Sequence, residues 1–181
     1  MHLKPKKPPR KKKKKMNDTV EIERKFLVVG EGFKEGADRK VIRQGYIASD
    51  ERMNVRVRQK GEKCFLTIKA QRDETSRHEF EYEIPCDHAQ AILKDVCQRP
   101  PIEKVRYTLD YAGKTWEVDV FEGVNDGLIV AEIELNTIDE PFEKPGWVGP
   151  EVSSDTRYLN ACLIEAPFNT WGVSYGELLK N

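Results

Sequence analysis

The stretch VEIERKFLV, residues 20–28, places Glu21, Glu23 and Lys25 at every second position, with Ile22, Arg24 and Phe26 between them. An extended chain sends alternate side chains to opposite faces. A strand here would aim two carboxylates and an ammonium at one face, so the fold turns on what that face meets.

The same period of two recurs along the chain. NVRVRQK (54–60), CFLTIKA (64–70), HEFEYEI (78–84), EKVRYTLDY (103–111), TWEVDVF (115–121) and LIVAEIEL (128–135) have the alternation or the β-branched and aromatic content of strands. Turns at GEK, AGK and EGVNDG separate several of them. Helices are expected over 87–98, opening at Asp87 and stopped by Pro100 and Pro101, and over 154–166, opening at Ser154 or Asp155, with a short turn in SYGELLKN. GEGFKEG (30–36) matches neither a dinucleotide fingerprint nor a P-loop and reads as a connection. The placement of 139–155, rich in Pro and Gly, is not predicted by any of these signals.

Charges of one sign share faces. Acids alternate at Glu21/Glu23, Glu79/Glu81/Glu83, Glu117/Asp119 and Glu132/Glu134; bases alternate at Arg56/Arg58 and Lys104/Arg106. Any one such strand is explained by an antiparallel sheet with a solvated face. Like charges at i and i+2, however, repel by roughly 2 kcal/mol at an effective dielectric near 20, unless water or counterions screen them. A barrel that turns this face inward would gather counterions: hard cations on the carboxylates and phosphates on the Arg and Lys. Its apolar face, with Ile22, Val55, Val57, Phe80, Val118 and Ile133, would then lie under the helices.

Composition narrows the class. A chain of 181 residues that is 38% hydrophobic is long enough for one domain with its own core. The net charge of zero hides an asymmetry: nine of the 31 Lys and Arg precede Met16, leaving 22 basic against 31 acidic residues, or −9, from there on. Residues 1–16 are expected to be a disordered basic tail ahead of a domain at 17–181. The tail is either a polyanion-binding arm or a dispensable extension, and Met16 directly before NDTVEIERK fits a start codon placed too early. No apolar run approaches the roughly 18 residues of a membrane helix, and no secretion signal is visible, so a cytoplasmic protein is expected. Cys64, Cys86, Cys97 and Cys162 form no C-x-x-C pair and are expected as reduced thiols. The three isolated His residues exclude a zinc motif.

EIERK (21–25) resembles the E-x-E-x-K signature of the CYTH superfamily, the triphosphate tunnel metalloenzymes. The resemblance continues in order through IRQGYI (42–47), VRVR (55–58), LTIKA (66–70), EFEYEI (79–84), EKVRY (103–107), WEVDVF (116–121), AEIEL (131–135) and DTRYLN (155–160), and it is strongest to the compact bacterial inorganic triphosphatases.

That resemblance implies an α+β fold built on an antiparallel eight-stranded β-barrel or incompletely closed cup with a charged interior. It implies metal ligands at Glu21, Glu23, Asp119, Glu132 and Glu134, and Mg²⁺ as cofactor with Mn²⁺ as a substitute. Lys25, Arg43, Arg56, Arg58, Lys69, Lys104 and Arg106 would face the phosphates. Lys25, Tyr46 and Lys104 are the catalytic candidates, Tyr46 as a partner to Lys25 in activating water or as a Tyr packed at a strand end. The implied reaction is hydrolysis of inorganic triphosphate to pyrophosphate and phosphate. Alternatives are a class IV-type adenylyl cyclase, a thiamine or nucleoside triphosphatase, and a non-catalytic polyphosphate-binding module. The implied partners are a small triphosphate and a second copy of the chain, with no specific nucleic acid.

Overall fold

The computed structural model describes residues 22–50, 52–71 and 77–180. Glu21 and the expected basic tail lie outside the described residues. The chain forms β1 (Ile22–Val28), β2 (Asp38–Ser49), β3 (Met53–Lys60), β4 (Lys63–Gln71), β5 (Arg77–Ile84), α1 (Cys86–Asp95), β6 (Ile102–Tyr111), β7 (Lys114–Phe121), β8 (Ile129–Leu135), β9 (Val148–Glu151), α2 (Asn160–Glu165) and α3 (Tyr175–Leu178). One antiparallel sheet runs β5-β4-β3-β2-β6-β7-β8-β1-β9. Among the described residues it has nine strands where eight were expected, and it does not close: β5 and β9 are its two edges.

The ninth strand comes from 139–155. VGPE joins β1 through a register shift between Phe26 and Val28. The approach is close enough that a Cβ on Gly149 would meet the Leu27 carbonyl oxygen at 3.0 Å. Trp147, just before it, completes an outer cluster with Phe26, Phe33, Trp116, Val118, Ala131 and Ile133. Loops therefore cover much of the outer apolar face, and GEGFKEG contributes the fully buried Phe33 as part of the connection after β1.

The helices sit elsewhere than expected. Among the described helices only α1 lies on the outer face, against Val57 and Cys64, while Phe80 stays 40% exposed. Its end packs so tightly on β2 that a Cβ on Gly45 would meet Cys97 Sγ at 2.6 Å. The helix expected over 154–166 breaks into a turn at Thr156–Tyr158, whose Arg157 N–H is accepted by Asp155, and the short α2. The SYGELLKN turn is α3, opened by a reciprocal Ser174–Glu177 cap.

Both α2 and α3 serve the inner face. Strand parity puts Leu27 with Lys25, Val130 with Glu132, Phe121 with Asp119 and Ile102 with Lys104. These four apolar residues form the lower row of the charged face, and Tyr158, Leu163, Phe168 and Leu178 pack onto them. Tyr175 fastens this plug to the sheet: its hydroxyl accepts from Val28 N at 2.7 Å and donates toward the Ile129 and Val28 carbonyls at 2.8 and 3.0 Å.

Two of the cysteines expected to be reduced form a disulfide, Cys64–Cys86. Cys64 faces Ile84 across the β4–β5 pair, and Cys86 follows Ile84 by two residues at the start of α1. The turn into the helix brings the two Cα atoms to 5.3 Å. Cys97 and Cys162 are free.

Candidate active site

Register fixes which charges share the inner face. Directly paired residues point to the same side of an antiparallel sheet. The β1–β8 pairs Glu23↔Glu134 and Lys25↔Glu132 continue to Glu117 on β7, and Asp119 pairs with Arg106 on β6. On the other half, Tyr46 pairs with Arg56 and then Thr67 and Glu81, while Gln44 pairs with Arg58. Arg106 and Glu117 both act on the charge of Arg58, so the charges of β6 and β7 are within electrostatic reach of β3 across the inner face. The result is a basin with two unlike walls.

The wall made by β6, β7, β8 and β1 is saturated with ion pairs. Asp119 and Lys104 are each only 1% exposed. Arg106 donates Nε and Nη2 to the two Asp119 oxygens at 2.6 Å each, reaches Glu132 at 2.9 Å, and also holds Glu117. Lys104 pairs with Asp119 and touches Asn160 Oδ1 of α2 at 3.2 Å. Lys25 bridges Glu23 and Glu132, the latter at 2.5 Å.

These contacts shift the acid–base balance of their members. Burial works against the Asp119 carboxylate, but Lys104 and Arg106 outweigh it and hold its pKa far below the usual range. Lys104, wholly buried and repelled by Arg106, is pushed down despite Asp119. Lys25 is also buried, yet Glu132 and Glu23 raise its pKa, so it stays an ammonium.

The wall made by β2, β3 and β4 is different. Arg58 Nη2 reaches Glu81 at 3.2 Å and Lys69 pairs with Glu79 at 3.2 Å, both on the edge strand β5. The Nε atoms of Arg56 and Arg58 and the Nε2 atom of Gln44 are buried without a hydrogen-bond partner. Leaving a buried donor unpaired costs about 1–3 kcal/mol, and more for a charged group. Burial, and then the neighbouring Arg56, push the Arg58 pKa down. This wall therefore keeps buried donors without an acceptor even though Arg58 and Lys69 each have a carboxylate partner.

Three expected site residues have surroundings of their own. Arg43 pairs across the strands with Glu103, bonds its carboxylate at 2.8 Å, and lies on the outer face, because it is an odd number of positions from Gln44 and Tyr46. Asp119 is engaged by cations rather than left open: Oδ1 accepts from Arg106 Nε, and Oδ2 accepts from both Arg106 Nη2 and Lys104. Tyr46 sits beside Arg56, on a strand separated from β1 in the sheet order by β6, β7 and β8. Burial raises its phenol pKa although Arg56 and Arg58 pull the other way.

The remaining acidic ligands lie nearer the mouth. Glu23, with a side chain 38% exposed, is the cross-strand partner of the exposed Glu134, and Glu132 lies one step deeper beneath Lys25. Among the described residues no three acids, His or Cys converge on one metal position. Two carboxylates plus phosphate oxygens and water nonetheless match what Mg²⁺ takes, and the all-oxygen donor set suits a hard cation.

A profile of the CYTH domain matches residues 19–162. An inorganic triphosphatase of Acetivibrio thermocellus is 47% identical over 151 residues, covering 83% of this chain and 97% of that protein. An inorganic triphosphatase of Nitrosomonas europaea is 36% identical over 149 residues, covering 80% and 96%. Among solved structures, a crystal structure described as that of an inorganic triphosphatase superposes with a TM-score of 0.64 at 32% identity, covering 81% of this chain and 95% of that one. No helix among the described residues is long and apolar enough to cross a membrane.

Proposed function

The chain belongs to the CYTH family, and from that premise we propose that its basin hydrolyses inorganic triphosphate to pyrophosphate and phosphate with a bound divalent cation, Mg²⁺ by preference and Mn²⁺ as a substitute. The observation that carries this reading is the pair of buried, unpartnered guanidinium nitrogens of Arg56 and Arg58 facing a wall of carboxylates. A polyanion satisfies the first and a cation the second. A metal–triphosphate complex presents both together.

Each wall then has a task. Arg56, Arg58 and Lys69 hold the phosphate chain, with Arg58 as the deepest cation on that side. Glu23, Glu134 and Glu132, with Glu21 from outside the described residues, would hold the cation, which when bound supplies charge neutralisation at phosphate oxygens. Lys25 and Arg106, kept cationic by their carboxylates, set a positive potential at the boundary between the walls. Lys104 keeps Asp119 and Arg106 in register and touches the plug, which makes it a positioning residue. The water oxygen bonds to the terminal phosphorus as the bridging P–O bond breaks, the bonding pair leaving on pyrophosphate and the water's proton passing to a phosphate oxygen. Such transfers need little covalent help from protein, so positioning and preset charge carry the acceleration.

Phosphate release from inorganic triphosphate, ATP and thiamine triphosphate, each with Mg²⁺, Mn²⁺ or EDTA, tests this. The expected result is metal-dependent release confined largely to inorganic triphosphate and reduced at least tenfold in Glu23→Gln. Release insensitive to EDTA, or a clear preference for either organic triphosphate, would overturn the assignment. Cyclic AMP formed from ATP would replace it with a cyclase.

A further inference from the structure

Gln44 is 2% exposed and lies on β2 between two pairing partners, Arg58 of β3 and Ile102 of β6. Ile102 belongs to the apolar row beneath the plug. Gln44 thus occupies the seam where the charged basin meets its apolar floor. Its amide Nε2 has no partner, and neither does Nε of Arg58 beside it or Nε of Arg56 in the next inward-facing pair. The fourth such atom, Trp116 Nε1, belongs to the outer aromatic cluster and is unrelated.

Three orphaned donors on adjoining positions of two paired strands ask for one ligand that only accepts. A phosphate group has that character, with several acceptor oxygens and no donor when ionised. A third cation in place of Gln44 would add to the repulsion Arg56 already exerts on Arg58, whereas an amide adds a hydrogen bond and no charge.

Building on the triphosphatase reading, we propose that Gln44 is a substrate-binding residue, its Nε2 donating to a non-bridging oxygen of the deepest phosphate beside Arg58. Gln44 would be the neutral member of a seat otherwise made of guanidinium groups, and it sets how far down the phosphate chain settles.

Steady-state kinetics with inorganic triphosphate and Mg²⁺, inhibition by pyrophosphate, and thermal unfolding without substrate decide the point. In Gln44→Leu, KM for triphosphate is expected to rise about tenfold and pyrophosphate inhibition to weaken in parallel, while Tm holds or rises, because an apolar side chain removes a buried unpaired donor. In Gln44→Glu, a carboxylate beside Arg58 is expected to raise Tm and to suppress activity more deeply, by filling the seat from within. Gln44→Met, close in length and unbranched, repeats the comparison if the leucine variant does not fold. An active wild type with unchanged KM and inhibition in the folded variant overturns the assignment of Gln44 alone, as does a fall in Tm with KM unmoved. A wild type that neither hydrolyses triphosphate nor gains Tm from it overturns the functional reading and this inference with it.

Discussion

The two walls of the basin use the same residue types for opposite ends. On β6, β7, β8 and β1, Lys104, Arg106 and Lys25 are each matched to carboxylates of the same wall, and the network closes on Asp119 and Glu132. On β2 and β3, Arg56 and Arg58 are as inward-facing but keep buried nitrogens unmatched. A saturated network orients its own members and resists rearrangement; an unsaturated one stores a preference for a ligand. The contrast suggests that one wall is a rigid frame and the other the part that takes the phosphate.

The largest effect should come from breaking the frame. Asp119→Ala leaves Lys104 and Arg106 buried without their shared anion, and such losses cost about 3–5 kcal/mol. At two to four degrees per kcal/mol for a chain of this size, Tm should drop by roughly 10 °C in a thermal melt. A drop of a degree or two would mean that this wall is no more committed than the other.

Arg58→Ala should do the reverse. Arg58 is held by one 3.2 Å contact to Glu81 and carries a buried Nε without a partner, so its removal should change Tm little, while kcat/KM for triphosphate falls about 100-fold, the scale seen when one preorganised donor is lost from a site of developing charge. A large loss of Tm with activity retained would invert the comparison. Tyr46→Phe should be milder, a change under tenfold, or about 1.4 kcal/mol, with the pH profile of kcat unaltered because the phenol is already held protonated. A lost basic limb in that profile would support Tyr46 as a base.

The floor gives the smallest contrast. Tyr175→Phe removes a hydroxyl that bonds β1 and β8, a loss of about 1 kcal/mol at neutral pH. Burial pushes this phenol pKa up to about 12. Its stabilisation should be whole below pH 10, the ordinary tyrosine value, and fade as pH climbs through 12. The gap in Tm between wild type and variant should close over that window; a gap independent of pH would detach Tyr175 from the cause given.

Much of this was legible because a period of two is local. The alternation in NVRVRQK and TWEVDVF marked strands within a residue or so of β3 and β7. VGPE was not legible, since its pairing depends on a shift in β1 and on a backbone approach that only Gly149 permits. Neither was the disulfide, which is made by the fold of β4, β5 and α1 rather than by spacing. Arg43 is more instructive: it lies three positions from Tyr46, so a regular strand could not aim both inward, and parity applied to IRQGYI selects Gln44 instead. Asp119 and Glu132 look alike by alternation. Which one is sequestered depends on neighbours from two other strands, and no single segment of sequence contains that.

The plug has a consequence for traffic. Among the described residues, Leu27, Ile102, Phe121 and Val130 are packed beneath Leu163 and Leu178, so the plug stands between the charged floor and that end of the sheet. A phosphate polymer, whatever its length, can offer the basin a terminus and, at that end, must withdraw by the route it came, so arrivals and departures there share one doorway and each turnover has to clear it before the next begins.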